Sequence, residues 1–223
     1  TKIGGADCVI SQTGFTGEKG YEIYVRDAHE NAEKMWNAVL EAGEEFGLMV
    51  IAPAHHRRIA AGILSWGQDL DHETSPFQVN LSYQVPRNKE ADYIGKEALE
   101  KQRAIIDEGN APFKMKMVGL IFGGKEITDY APDFWLINDT DGNEMGFITS
   151  PWWSPELNTN IALGWVPWNS SEIGTQLQVM LPDEYADSSG APVDGEIVDI
   201  PFRESVNPNK REVQKAKGLD FAD

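Results

Sequence analysis

The stretch Gly14-Phe15-Thr16-Gly17-Glu18-Lys19-Gly20-Tyr21-Glu22-Ile23-Tyr24-Val25 organises the first part of the chain. Its three glycines tolerate positive φ and close backbone approach, so residues 14–20 are predicted to form a tight, specially shaped loop. The sequence then alternates with the period of two that is typical of a strand. With a second strand predicted over residues 6–11, residues 21–26 should form a hairpin around the glycine loop.

The two faces of the second strand differ in character. Tyr21, Ile23 and Val25 share one face and are predicted to point to the core. Glu22 and Tyr24 share the other face, which places a carboxylate beside a phenol. This pair is a candidate ligand-binding face. The alternative interpretation is an ordinary hairpin whose outer face is solvated.

The composition is that of a folded and strongly acidic protein. Of its 223 residues, 41% are hydrophobic, and 36 acidic side chains against 19 basic ones give a formal net charge of −17. Such a charge repels phosphate backbones and anionic lipid, so neither a nucleic-acid nor a membrane partner is predicted. The sequence shows no apolar run of membrane-spanning length and no recognisable signal peptide.

Cys8 is the single cysteine, which excludes an internal disulfide and a Cys-x-x-Cys metal or redox motif. This usage fits a reducing compartment, and a cytoplasmic location is predicted. The sequence starts at Thr1 without a methionine and enters a strand almost at once. We therefore expect it to be the C-terminal part of a longer protein.

A helix is predicted to follow the hairpin. Asp27 and Glu30 have the spacing of a capping box at its start, and Gly47 is placed to end it. Apolar residues recur at three- and four-residue steps and predict one apolar stripe. The stripe consists of Met35, Trp36, Val39, Leu40 and Phe46.

Two further helices are predicted before residue 111. The first starts at Pro53, because proline is tolerated in a first turn, and ends at Gly67; the second lies within residues 93–109. The adjacent His55 and His56 diverge by about 100° on a helix, so they do not readily share an ion. No metal site is predicted.

Between these helices lie a polar loop and an apolar run. Residues 68–74 lack the glycine and the terminal glutamate of an EF-hand, and we interpret them as a surface connection. The apolar alternation over residues 77–85 predicts a strand.

After Pro112 the pattern changes to strands alone. Six are predicted, at residues 115–122, 134–138, 144–149, 161–166, 176–181 and 195–202. Their spacing favours a barrel or a sandwich, and Asp141-Gly142 is the strongest hairpin signal in the chain. Trp152 and Trp153 are predicted to plug the barrel rather than to face a cleft.

The predicted fold class is α+β, with three segments. Residues 1–111 form an antiparallel-sheet domain with flanking helices, residues 112–203 form a six-stranded β-barrel, and residues 204–223 form a charged tail.

Five stretches carry a resemblance to a known family. They are TGFTGEKGYEI (13–23), AGILSWGQDLD (61–71), YIGKEAL (93–99), GFITS (146–150) and ALGWVP (162–167). In this order they resemble the folate-binding T-protein family, which includes the glycine-cleavage aminomethyltransferase, the sarcosine and dimethylglycine folate domains and the tetrahydrofolate-dependent demethylases. The resemblance implies a three-domain parent that binds folate in a central channel. This chain would supply the second half of the folate domain and the barrel, and without the N-terminal half it is expected to be inactive.

The resemblance also implies a cofactor and a site. The cofactor is tetrahydrofolate, and Glu22 matches the family glutamate that hydrogen-bonds the pterin ring, since a carboxylate accepts two parallel N–H donors well. Tyr24, Arg58 and Trp66 are the further cofactor-binding candidates. Phe15 is the candidate for binding the one-carbon donor, because a ring face holds a desolvated onium group. No residue of this chain is predicted to be catalytic.

Within the family, residues 20–25 and the pair Pro76-Phe77 look closest to the dimethylsulfoniopropionate demethylases. These enzymes transfer the methyl group of a small-molecule sulfonium directly to N5 of tetrahydrofolate, which requires mainly alignment. The predicted function is therefore a tetrahydrofolate-dependent demethylase that acts on a small onium donor.

Three alternatives remain. They are an aminomethyltransferase of the glycine-cleavage type, a methoxyaromatic O-demethylase, whose helix end resembles residues 41–47, and a non-catalytic folate-binding protein. Two departures weaken the first: Ala54 stands where T-proteins carry an arginine, and Asn207 lies about where they carry a tyrosine.

Overall fold

The computed structural model describes residues 1–87 and 89–203. This part of the chain divides into two compact units, of which the first is Thr1–Arg58 and the second begins at Ile59. The domain boundary predicted between residues 111 and 112 stays a prediction, and the predicted charged tail lies outside the described residues.

A three-stranded antiparallel sheet opens the first unit. Its strands, in chain order, are β1 (Lys2–Ile3), β2 (Ala6–Ser11) and β3 (Glu22–Val25). Strands β2 and β3 pair with Ser11 opposite Glu22, which confirms the predicted hairpin around the glycine loop. In that loop Gly17 has a φ of 72°, a conformation that strongly favours glycine.

Helix α1 (Ala28–Gly43) follows, and a short 3-10 helix (Glu44–Phe46) extends it to Gly47. The φ of Gly47 is 71°, which confirms the predicted glycine stop. Asp27 is the N-cap residue, as predicted, but the capping box is wrong, because Asp27 has a left-handed φ of 49° and its side chain makes no capping hydrogen bond. Its backbone carbonyl accepts N–H groups of the first turn instead. No residue of α1 is fully buried; of its apolar stripe, Met35, Val39 and Leu40 are partly buried, whereas Trp36 and Phe46 are exposed.

Helix α2 (His55–Ala60) is shorter than predicted. The chain turns at Gly62 rather than at Gly67, because Gly62 adopts a φ of 69° and donates its N–H to the Ile59 carbonyl at 2.9 Å. Helix α3 (Lys96–Asp107) confirms the third predicted helix.

The strand predicted over residues 77–85 is wrong. The N–H of Leu81 donates to the carbonyl of Pro76 at 2.9 Å, Asn80 has a φ of 61°, and Ser82–Gln84 form a 3-10 helix. These are the features of consecutive turns. The apolar alternation of this segment therefore reflects burial of a turn and not a strand.

Six antiparallel strands close a barrel and, with the sheet and helices before it, confirm the α+β fold class. They are β4 (Met115–Phe122), β5 (Trp135–Asn138), β6 (Glu144–Ser154), β7 (Thr159–Pro167), β8 (Gln176–Val179) and β9 (Val193–Val198). The spatial order is β4-β7-β6-β5-β8-β9, and β9 pairs with β4. Gly142 has a φ of 87° between β5 and β6, which confirms the hairpin at Asp141-Gly142.

Alternate residues of the strands fill the barrel interior. This core includes Val118, Leu120, Ile137, Ile148, Leu177 and Ile197. A second cluster lies on the outer face of β4 and β7, where Met117, Ile161 and Leu163 pack with Ile59 and Val79. The prediction that two tryptophans plug the barrel is wrong, since neither belongs to the interior core and Trp152 packs against the outer cluster.

Candidate functional site

The β2–β3 hairpin presents Glu22 and Tyr24 side by side. Residues two apart on a strand share a face, and a hydrogen bond joins these two side chains, as the alternation predicts. On the other face Ile23 and Val25 are partly buried. Tyr21, predicted to face the core, is exposed, because β3 begins one residue later.

Two hydroxyl groups hold the Glu22 carboxylate. Thr13 Oγ1 and the Tyr24 phenol both donate to Oε2, the phenol at 3.0 Å. Within residues 1–87 and 89–203, Oε1 has no hydrogen-bond donor, so it can accept hydrogen bonds from a ligand. Tyr24 is 56% exposed and Glu22 is partly exposed, so this fixed acceptor is accessible from solvent.

The carboxylate changes the titration of its neighbour. The hydrogen bond to Glu22 raises the pKa of Tyr24 above its ordinary 10.0, and the charge of Glu22 raises it further. The contact with Thr13 acts weakly in the opposite direction. The phenol therefore stays protonated at neutral pH, as its role as a donor requires.

Phe15 lies in the glycine loop with half of its surface (50%) exposed. An accessible ring face is what a contact with an onium group needs. Its role in binding the donor stays a prediction.

Arg58 is not part of the group formed by Thr13, Glu22 and Tyr24. Its side chain is 1% exposed, and its Nε donates to Nδ1 of His55 at 3.0 Å, one helical turn earlier. A buried guanidinium held in this way supports a structural role. Folate binding by Arg58 stays a prediction.

Trp66 belongs to the second unit and lies in the loop after Gly62. The N–H of Gly67 donates to the carbonyl of Leu70 at 2.8 Å, which closes the loop. The indole is 68% exposed, so the loop presents it to solvent. Its role in cofactor binding stays a prediction.

Asp69 was missed by the sequence interpretation. Residues 68–74 were expected to form a surface connection, yet Asp69 is 1% exposed. An acid in a polar loop looks solvated in sequence, and its hydroxyl partners, Thr149 and Ser150, lie far along the chain. The sequence signal that could have indicated this contact is the presence of both motifs, at residues 61–71 and 146–150, in the same chain.

Across residues 1–87 and 89–203, no group of three or more His, Cys, Asp and Glu side chains is arranged to hold a metal ion. In the same part of the chain, no helix has the length and apolar character needed to cross a membrane.

Two family domains match the chain in succession. Residues 1–89 match the GCVT N-terminal domain, and residues 113–202 match the glycine cleavage T-protein C-terminal barrel domain. The second match covers all six strands of the closed barrel. The chain belongs to the glycine cleavage T-protein family.

Curated members of the T-protein family align over most of this chain. An aminomethyltransferase of Geobacillus sp. (strain WCH70) is 35% identical over 179 residues, which are 79% of this chain and 46% of that protein. One of Caldanaerobacter subterraneus subsp. tengcongensis is 32% identical over 182 residues, which are 81% of this chain and 45% of that protein. This T-protein homologue therefore spans less than half the length of the relatives it matches.

A solved structure shares the fold. The crystal structure of glycine cleavage system aminomethyltransferase T from Bartonella henselae matches with a TM-score of 0.65 and 24% identity, over 87% of this chain and 49% of that chain. The relatives named above are aminomethyltransferases, and they do not support the closer similarity to dimethylsulfoniopropionate demethylases. Asn207, one of the two departures from the T-proteins, lies outside the described residues.

Proposed function

We propose that this T-protein homologue is part of a tetrahydrofolate-dependent one-carbon transferase in which Glu22 and Tyr24 bind the pterin ring. One observation carries the proposal: the Glu22 carboxylate is fixed through Oε2 by Thr13 and Tyr24, while Oε1 has no donor within the described residues. The match of residues 1–89 to the GCVT N-terminal domain supports the choice of ligand.

The hydrogen-bonding capacity of the site fits a pterin. An ionised carboxylate offers about four lone-pair positions, of which Thr13 and Tyr24 occupy two. The two that remain are both on Oε1, which can therefore accept N–H groups from the amino-pyrimidinone edge of the ring. When bound, tetrahydrofolate supplies N5 as the acceptor of the one-carbon unit. The residues of this chain bind and orient it.

An aminomethyl group is the one-carbon unit that the relatives favour, since the two from Geobacillus and Caldanaerobacter are named aminomethyltransferases. Aminomethyl transfer is one of the alternatives to a demethylase that the family resemblance left open. We assign no nucleophile among the described residues a role in the transfer. Their contribution is alignment of donor and acceptor, which by itself accounts for large rate enhancements.

A small onium donor is the second candidate, and Phe15 favours it. Its ring is half exposed in the loop next to β3. A contact between a desolvated onium group and such a ring is worth roughly 0.5 to 2 kcal/mol.

Transfer to tetrahydrofolate by the complete protein tests the proposal. Three donors are compared: an aminomethylated lipoyl carrier, dimethylsulfoniopropionate and dimethylglycine. We expect the aminomethyl donor to give product, and we expect the isolated 223-residue chain to be inactive because its relatives are about twice as long. Product from dimethylsulfoniopropionate alone would select the second candidate, and no product from any donor would contradict the proposal.

A further inference from the structure

The Asp69 carboxylate is the centre of a buried hydrogen-bond network in the second unit. Oδ2 accepts the backbone N–H of Ser65 at 2.8 Å, and Oδ1 accepts the hydroxyls of Thr149 and Ser150, each at 2.6 Å. The backbone carbonyl of Asp69 accepts Nε1–H of Trp165 at 3.0 Å. One residue thus connects its own loop to strands β6 and β7 of the barrel.

A β-bulge lets two neighbouring hydroxyls reach one oxygen. Side chains of adjacent strand residues normally point to opposite faces of a sheet. Here Ile148 pairs with Gly164 and Ser150 pairs with Leu163, so Thr149 is the extra residue of a bulge in β6. Such a bulge re-aims side chains. The bulge in β6 therefore allows both hydroxyls to donate to the Asp69 carboxylate.

The same contacts fix the loop that carries Trp66. The bond from Ser65 to Asp69 spans Trp66, and the backbone bond from Gly67 to Leu70 overlaps that span and closes the loop. The side-chain amide of Gln68 adds a further tie, to the Thr149 carbonyl at 2.8 Å. The polar side chains face the barrel, whereas the indole faces solvent.

Burial makes this network hard to rearrange. A carboxylate that is removed from water is stable only while its hydrogen bonds are made, so the loop and the bulge keep one mutual geometry. Trp66 lies within this short loop, so the fixed geometry of the loop also fixes the position of its exposed indole.

We propose that Asp69 is a positioning residue, which uses the bulge of β6 to hold Trp66 in the orientation that binds folate. The folate-binding part rests on the proposed function. The positioning of the indole is independent of the proposed function, and it can be measured without any ligand.

Fluorine NMR of the 223-residue chain labelled with 5-fluorotryptophan tests the positioning. Trp66→Phe identifies the resonance of Trp66, and Trp135→Phe identifies that of a buried indole in the barrel core, which reports an intact barrel. We expect Asp69→Asn to shift or broaden the Trp66 resonance and to leave that of Trp135 in place. Ser150→Ala, which removes a single hydroxyl, should act in the same direction and more weakly.

Asp71→Asn is the matched control, because Asp71 is an exposed carboxylate two residues later whose Oδ1 accepts the Glu73 N–H within the loop. It should leave the Trp66 resonance unchanged. The proposal is overturned if Trp66 does not respond to Asp69→Asn and Ser150→Ala. It is equally overturned if both variants move Trp135 as much as Trp66, since that would indicate general loss of structure.

A double-mutant cycle on tetrahydrofolate affinity of the complete protein tests the consequence for the ligand. Asp69→Asn should weaken binding about tenfold in the wild type, since an interaction of about 1.4 kcal/mol corresponds to that factor. It should have no further effect in a Trp66→Ala background. Equal weakening in both backgrounds would contradict the proposal. No tetrahydrofolate binding by the wild type would contradict the proposed function and leave the NMR result to decide on the positioning.

Discussion

The Glu22 carboxylate uses Oε2 for its own hairpin and leaves Oε1 without a donor in the described residues. The alternation of β3 was sufficient to predict that Glu22 and Tyr24 lie together, because a strand has a strict period of two. The contribution of Thr13 could not be predicted. It depends on how the glycine loop returns to the strand, which the spacing of the glycines does not specify.

The titration of Tyr24 is the first prediction at this scale. Because Glu22 raises its pKa, the folded state favours the protonated phenol, so this contribution to stability is present below pH 10 and is lost as the pH rises through the folded-state pKa. An ultraviolet difference titration of the wild type against Tyr24→Phe isolates this phenol. In Glu22→Gln the phenol should ionise at lower pH, and an unchanged midpoint would show that the carboxylate does not act on it.

At the scale of elements, strands were predicted better than helix boundaries. The barrel strands and the turn at Asp141-Gly142 follow from alternation and turn chemistry, which are local properties. The end of α2 depends on the left-handed φ of Gly62. In the sequence, Gly62 and Gly67 were both possible end points of this helix. Residues 77–85 have the apolar alternation of a strand. They form consecutive turns instead, and apolar side chains of these turns are buried.

The glycine in β6 gives a prediction at the element scale. A Cβ at Gly146 would collide with the backbone carbonyl oxygen of Trp165 on β7, and a backbone atom cannot yield as a flexible side chain does. Gly146→Ala should lower the free energy of unfolding by roughly 1–3 kcal/mol. Urea denaturation followed by tryptophan fluorescence measures this change.

Gly123→Ala is its control, because the nearest atom to a Cβ there is 3.9 Å away. We expect a change within about 0.5 kcal/mol. Equal stability of the two variants would mean that β6 and β7 do not approach as closely as described.

At the scale of the whole molecule, the five motif stretches were sufficient to indicate the family, and the matches of residues 1–89 and 113–202 confirm it. Three of those stretches meet at Asp69, which accounts physically for their occurring together. The network itself was not predictable, because its members are polar residues of ordinary type, about 80 positions apart. The donor was not predictable either, since the resemblance to demethylases rested on short stretches.

Tetrahydrofolate affinity of the complete protein is the most direct test of the central claim, that Glu22 binds the pterin. Glu22→Gln is compared with Glu18→Gln, which removes a carboxylate from the neighbouring loop. A charge-assisted hydrogen bond is worth about 1.5–3 kcal/mol, so Glu22→Gln should weaken binding by about 10- to 150-fold, while Glu18→Gln should bind as the wild type does. Equal dissociation constants for the wild type and Glu22→Gln would contradict the account.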